Sequence, residues 1–204
     1  MPKLNNWFDD LNKLIQDSFI TNKHLSVIKE LKTETKFLNE DFFVFFQYQQ
    51  WFMLTIQLSK IFECKPRTQQ RNFVTLCDKI IKGDYIREFE LILQETKISN
   101  PHTYADLVEK AKQIRTKIKL YQATISKIIN VRNKIYAHTD IERKIDFPTI
   151  DEMKSIVELA SFSYNNSRGF IYGINTDFTR GINNLTMKDV VRIMQRGLRK
   201  KEQV

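Results

Sequence analysis

Trp7, Phe8, Leu11, Leu14, Ile15 and Phe19 recur at three- and four-residue steps, which predicts an amphipathic helix near the start of the chain. A second short helix is expected to carry Leu25, Ile28 and Leu31. Asn39, with Leu38 before it, predicts the cap of a further helix running to about Phe62. That helix opens on Phe42-Phe43-Val44-Phe45-Phe46, apolar on every side, so its first turns are expected at the centre of the core.

Glu63 to Gln69, which contains Pro66, reads as a loop. Phe73, Val74, Leu76, Cys77, Ile80 and Ile81 form another helical face, with Gly83 as its terminator. Tyr85, Ile86, Phe89 and Leu91 to Leu93 fit a short helix better than a strand, and Ser99-Asn100-Pro101 is a break. From about Thr103 to Ala137 no proline or glycine interrupts the pattern, a length at which a bend or break is expected. Thr139 to Pro148 reads as a charged linker. Thr149 with Glu152 forms a capping box ahead of Met153, Ile156, Val157, Ala160 and Tyr164. Gly169 to Asn184 is irregular, and Thr186 with Asp189 repeats the capping logic before Val190, Val191, Met194 and Leu198. The expected architecture is an all-α bundle: a helical domain over 1–168, then an irregular segment and a basic C-terminal helix over 169–204, packed on or extending the same domain. No internal repeat or low-complexity tract is visible.

Composition narrows the picture. Fifteen phenylalanines among 204 residues supply a core, and five glycines with four prolines suit a largely helical chain. A formal charge of +9 favours a polyanionic partner such as RNA, DNA or an acidic membrane surface. Cys64 and Cys77 form neither a metal-ligand pair nor a disulfide framework, and three scattered histidines add no zinc site. Phe42 to Phe62 is apolar enough to raise a membrane span, but Gln47, Gln49, Gln50, Gln57 and Lys60 argue against one. With no apolar signal segment at Met1 to Asn6, a cytoplasmic location is expected. Glycine-rich phosphate loops and acidic metal clusters are missing from the pattern, which disfavours nucleotide hydrolysis and metal-dependent nuclease chemistry; no cofactor is expected.

The end of the long helical pattern carries the candidate chemistry. Ile114, Ile118, Tyr121, Ile125, Ile128, Arg132 and Ile135 share one apolar stripe. A charge on that stripe is costly unless it meets a carboxylate, a phosphate or solvent, so Arg132 needs one of the three. Lys127, Asn130, Lys134 and His138 form a second, basic line on the polar side. Arg132 and His138 are six residues apart, which on a straight α-helix turns them about 120° from each other. They converge within one chain only if the helix ends or unwinds near Ala137; otherwise a dimer must bring two such helices together. Spacing of this kind also arises by chance. The bland alternative is that Arg132 pairs with a buried acid and His138 caps a helix end, where the helix dipole favours its charge.

The longer string Arg132-Asn133-Lys134-Ile135-Tyr136-Ala137-His138-Thr139-Asp140 resembles the signature of the HEPN superfamily: an arginine followed by a polar residue, then a histidine after four to six intervening positions. Its Ala-His-x-Asp ending resembles the abortive-infection (AbiU-type) branch. The long helix, loop and short helix across Trp51 to Asp78 are similar to that branch in outline. The resemblance implies an all-helical domain that dimerises around the motif helices. It also implies metal-independent RNA cleavage of the kind used by toxins and effectors in phage defence, often beside a neutralising partner protein. Arg132 and His138 then match the catalytic pair, and Asn133 the polar position. The nucleotidylated HEPN toxins carry a tyrosine two residues after the histidine. Asp140 stands there in this chain, against control by tyrosine modification. Some members of the superfamily are non-catalytic and bind RNA or a protein partner instead.

Lys127, Lys134, Arg143 and Lys144 lie near the motif and are the expected contacts to an RNA backbone, against the alternative of a solvated basic face. Arg192, Arg196, Arg199, Lys200 and Lys201 form a basic tail with the same two readings. Tyr136 is a candidate for base stacking, although its apolar neighbours favour packing. His24 and His102 receive no role.

Overall fold

The structure, a computed structural model, describes residues 3–31, 41–63, 71–96, 102–136, 145–180, 189–193 and 196, apart from the side chains of Leu31 and Tyr136. The protein is all-α, and no strand occurs among the described residues. Helix α1 spans Leu4–Leu31, α2 Asp41–Phe62, α3 Phe73–Lys82, α4 Ile86–Thr96, α5 Tyr104–Leu120 and α6 Gln122–Val131. A π-helical segment, Arg132–Tyr136, continues α6. After α7, Ile150–Tyr164, a second π segment covers Asn165–Gly169 and leads into the single turn α8, Phe170–Tyr172.

α1 is one helix rather than the two expected. Neither glycine nor proline interrupts Phe19 to Leu25. Hydroxyls in this stretch bond back into the helix: those of Ser18, Thr21 and Ser26 donate to the carbonyls of Leu14 (2.6 Å), Asp17 (2.7 Å) and Asn22 (2.9 Å). α1 packs along α2 and α7, while α3 lies on α5, and α2 also meets α6 and the first π segment. Leu4, Leu11, Leu54, Phe73, Ile114 and Ile156 are completely buried in the shared core.

The expectation for the start of α2 fails. Phe43 is buried, but Phe42 (68 % exposed), Phe45 (61 %) and Val44 (49 %) stand in solvent. α1 occupies one side of α2, and α6 with the π segment another. The core uses instead the second half of α2, where Leu54, Leu58, Ile61 and Phe62 are buried.

The long helical pattern does break, at Tyr121, whose ψ of 10° ends α5 and begins α6. Thr103 and Thr149 both make the capping box, with Asp106 and Glu152 returning a side-chain bond to the cap backbone. Gly83 closes α3 at φ 86°, a left-handed conformation that suits glycine. The segment expected to be irregular after Gly169 includes α8 before it loses regularity. Residues 189–193 are helical, and Val191 there is fully buried. The caps expected at Asn39 and Thr186 lie outside the described residues.

Candidate functional site

α2 ends at Phe62, and the next residue, Glu63, turns its carboxylate inward with its side chain 8 % exposed. Asn72 holds this end of α2 against the start of α3. Its Oδ1 accepts from the Thr75 backbone N–H (2.9 Å) as the α3 cap, while its Nδ2 donates to the Glu63 carbonyl (2.9 Å). Arg132, at the junction of α6 and the π segment, reaches Glu63 with a forked grip. Its NH2 nitrogen donates to Oε1 at 2.7 Å and its NH1 nitrogen to Oε2. Nε and NH2 also donate to the Asn133 side-chain oxygen, at 3.2 and 2.7 Å. All three guanidinium nitrogens are therefore engaged, and the Arg132 side chain is 13 % exposed.

Of the three partners open to Arg132 on its apolar stripe, the structure supplies a carboxylate, that of Glu63. Sequence reasoning missed it because Glu63 reads as the first residue of a loop, sixty-nine positions from its partner. The available signal was the position of an acid at the very end of the most apolar helix. A desolvated ion pair of this geometry is costly to break from one side, about 3–5 kcal/mol, because the remaining charge stays buried.

The π segment changes the wheel argument. An i→i+5 turn is wider than an α turn and rotates less per residue, so the 120° estimate for Arg132 and His138 does not carry across Arg132–Tyr136. Ala137, near which the helix would have to end or unwind for the two to converge in one chain, lies outside the described residues. His138 itself lies outside the described residues, as do Asp140, Arg143, Lys144, Arg199, Lys200 and Lys201.

Lys127 is not a solitary basic residue. Its ammonium lies 3.0 Å from Asp146 Oδ2 and 3.2 Å from both oxygens of Glu152, with its side chain 19 % exposed. The hydrogen bond it donates to Asp146 is the main reason its pKa is raised. Glu152 is held below the usual carboxylate range, first by the Thr149 backbone N–H and then by Lys127. Lys127 therefore ties α6 to the approach and cap of α7. Lys134 is half-buried and has no hydrogen-bond or ion-pair partner among the described residues. Asn130 is exposed. Arg192 pairs with Asp189 at 3.9 Å across one helical turn.

The structure brings Arg132, Asn133 and Glu63 into one cluster, with Lys134 two residues beyond Arg132. A cleft of about 460 Å³ lies elsewhere, between α1 and α7, and another of about 330 Å³ lies at the α5–α6 break; Arg132 lines neither. Among the described residues no group of His, Cys, Asp and Glu is arranged to hold a metal ion. No described helix is long and apolar enough to cross a membrane. His24 Nδ1 faces Gln50 Oε1 at 3.1 Å, and His102 stacks on Phe170 at 4.1 Å between ring centroids, so both have structural partners.

Compared with protein-family models, with curated proteins and with solved structures, the chain matched none.

Proposed function

We propose that the protein is a metal-independent endoribonuclease of toxin or effector type, working in phage defence or a toxin system. The observation that carries this reading is the Arg132–Asn133 cluster: a cation fixed in orientation by Glu63, at the head of a π-helical turn that leads toward His138. π segments are rare and gather at functional sites. In this reading the ribose 2′-OH attacks the adjacent phosphate. His138 moves the proton, a contribution of about 10²–10⁴ in rate. Arg132 stabilises the charge that develops on the phosphoryl oxygens. Asn133 holds the guanidinium plane, and Lys134, with Arg143 and Lys144, tracks the backbone. The products are a 2′,3′-cyclic phosphate and a 5′-hydroxyl, and DNA, lacking the nucleophile, is spared. The active form is a homodimer that shares the site through the motif helices, kept in check by a neutralising protein.

A second reading has its own observation. All three nitrogens of Arg132 are already occupied, which suits a non-catalytic module of the same kind that binds RNA or a protein partner and uses Arg132 as a staple. Incubating RNA with the wild type and with His138→Ala separates the two. The nuclease reading predicts cleavage by the wild type that vanishes in the variant. Equal, absent cleavage with RNA binding retained by both rejects it in favour of the module.

A further inference from the structure

α1 and α7 run antiparallel. Phe8 meets Tyr164 edge-on toward one end, and Lys29 donates to Asp151 at 3.2 Å toward the other. Between these contacts lies the cleft of about 460 Å³. Its α1 wall is the three–four stripe Phe19, Asn22, Lys23 and Ser26, and its α7 wall includes Lys154 and Glu158, one turn apart. The Lys29–Asp151 contact sets the register of the two walls. Three residues inward on each helix, Ser26 stands level with Lys154; seven inward, Asn22 stands level with Glu158. Phe19 follows one turn on, stacked on Phe178 with ring planes 9° apart and centroids at 5.8 Å.

Three features indicate what the cleft holds. First, Asn22 is only 7 % exposed, and its Oδ1 is buried without accepting a hydrogen bond from any described residue. An unpaired buried acceptor costs about 1–3 kcal/mol, so it requires a donor. With the Glu158 carboxylate on the facing wall, the fitting donor is an ammonium, which satisfies carbonyl and carboxylate together. Secondly, Lys154, level with Ser26, and Lys23 on the α1 wall suit an anionic group. The contact between Lys154 and Glu158 is long, 4.0 Å, with both side chains 61 % exposed. Such a surface pair is weak, and both partners stay open to a ligand. Thirdly, the parallel Phe19–Phe178 stack is extended by a further planar ring. A nucleotide or a nucleic-acid backbone fits less well, because it offers no cation to Asn22 and Glu158.

We infer that the α1–α7 cleft is a binding site for a small amphoteric molecule, a free aromatic amino acid. Its carboxylate lies toward Lys154, its ammonium between Asn22 and Glu158, and its ring toward Phe19. The cleft volume is of the size that small-molecule sites have, about 300–1,000 Å³. Arg132 does not line this cleft, and the inference does not depend on whether RNA is cut.

The test is isothermal titration calorimetry of the full chain, without RNA, against L-tryptophan, tryptamine, indolepropionate and adenosine monophosphate. L-tryptophan is expected to bind saturably. Tryptamine, which lacks the carboxylate, and indolepropionate, which lacks the ammonium, are each expected to bind about tenfold more weakly or worse. Lys154→Gln and Glu158→Gln change exposed side chains and leave the core untouched. Lys154→Gln should weaken L-tryptophan about tenfold and leave tryptamine unchanged; Glu158→Gln should weaken L-tryptophan equally and leave indolepropionate unchanged. No saturable binding of L-tryptophan would mean a cleft filled by water alone and would overturn the inference. So would analogues that bind as tightly as L-tryptophan, variants that bind it like the wild type, or tighter binding of adenosine monophosphate.

Discussion

Arg132 is the residue on which local structure and candidate chemistry meet. Its guanidinium is forked onto Glu63 in a nearly solvent-free setting, so each charge depends on the other. Replacing Glu63 by glutamine leaves Arg132 buried without its counter-charge. The expected loss is about 3–5 kcal/mol in urea unfolding, and most of it should return in a Glu63→Gln, Arg132→Met double variant. If the single variant unfolds like the wild type, the pair is not desolvated as described. Cys77 and Tyr85 give a second prediction at this scale. Burial pushes the thiol up to about 12 from 9.0 and the phenol up to about 12 from 10.0. Both groups ionise first in the unfolded chain, so stability falls as pH rises from about 9 toward 12. Unfolding free energies measured across that range should decline, and Cys77→Ala should flatten the lower part of the decline.

At the scale of elements, helix starts and stops were legible where a short-range signal decides them. Thr149 with Glu152 marks the α7 start because both halves of a capping box lie within four residues. Thr149→Ala is expected to cost about 1 kcal/mol, visible as an earlier thermal midpoint, and an unchanged midpoint would deny the cap its role. Gly83 closed α3 for a similarly local reason. What the sequence hid depends on distant residues. The apolar run at the start of α2 has no internal sign that its neighbours pack elsewhere, so an exposed face looked like a core. The continuity of α1 turned on hydroxyls bonding back to the carbonyl one turn earlier, a choice that polar residues also make in loops. The site divides the same way. That Arg132 needs a carboxylate, a phosphate or solvent was readable from its place on an apolar stripe, but which of the three, and the identity of the acid, was not. The carboxylates that Lys127 faces were not readable either, because Asp146 lies within the charged linker and Glu152 beyond it.

Across the whole molecule, net charge sets the expected behaviour. RNA binding driven by the basic side chains should weaken steeply and log-linearly with salt, and Lys134→Ala should lower the slope by about one phosphate contact. A salt-independent affinity would remove the backbone-tracking role. Substitution of Lys127 should act differently, lowering stability through the α6–α7 connection, since its charge already faces two carboxylates. The central claim is that this molecule cuts RNA without a metal, using the 2′-hydroxyl as nucleophile. Its most direct test is end-group analysis of RNA incubated with the protein in excess EDTA. Fragments ending in 2′,3′-cyclic phosphate and 5′-hydroxyl are the predicted result. RNA that is cut only when divalent cations are present, or that yields 5′-phosphate ends, would contradict it.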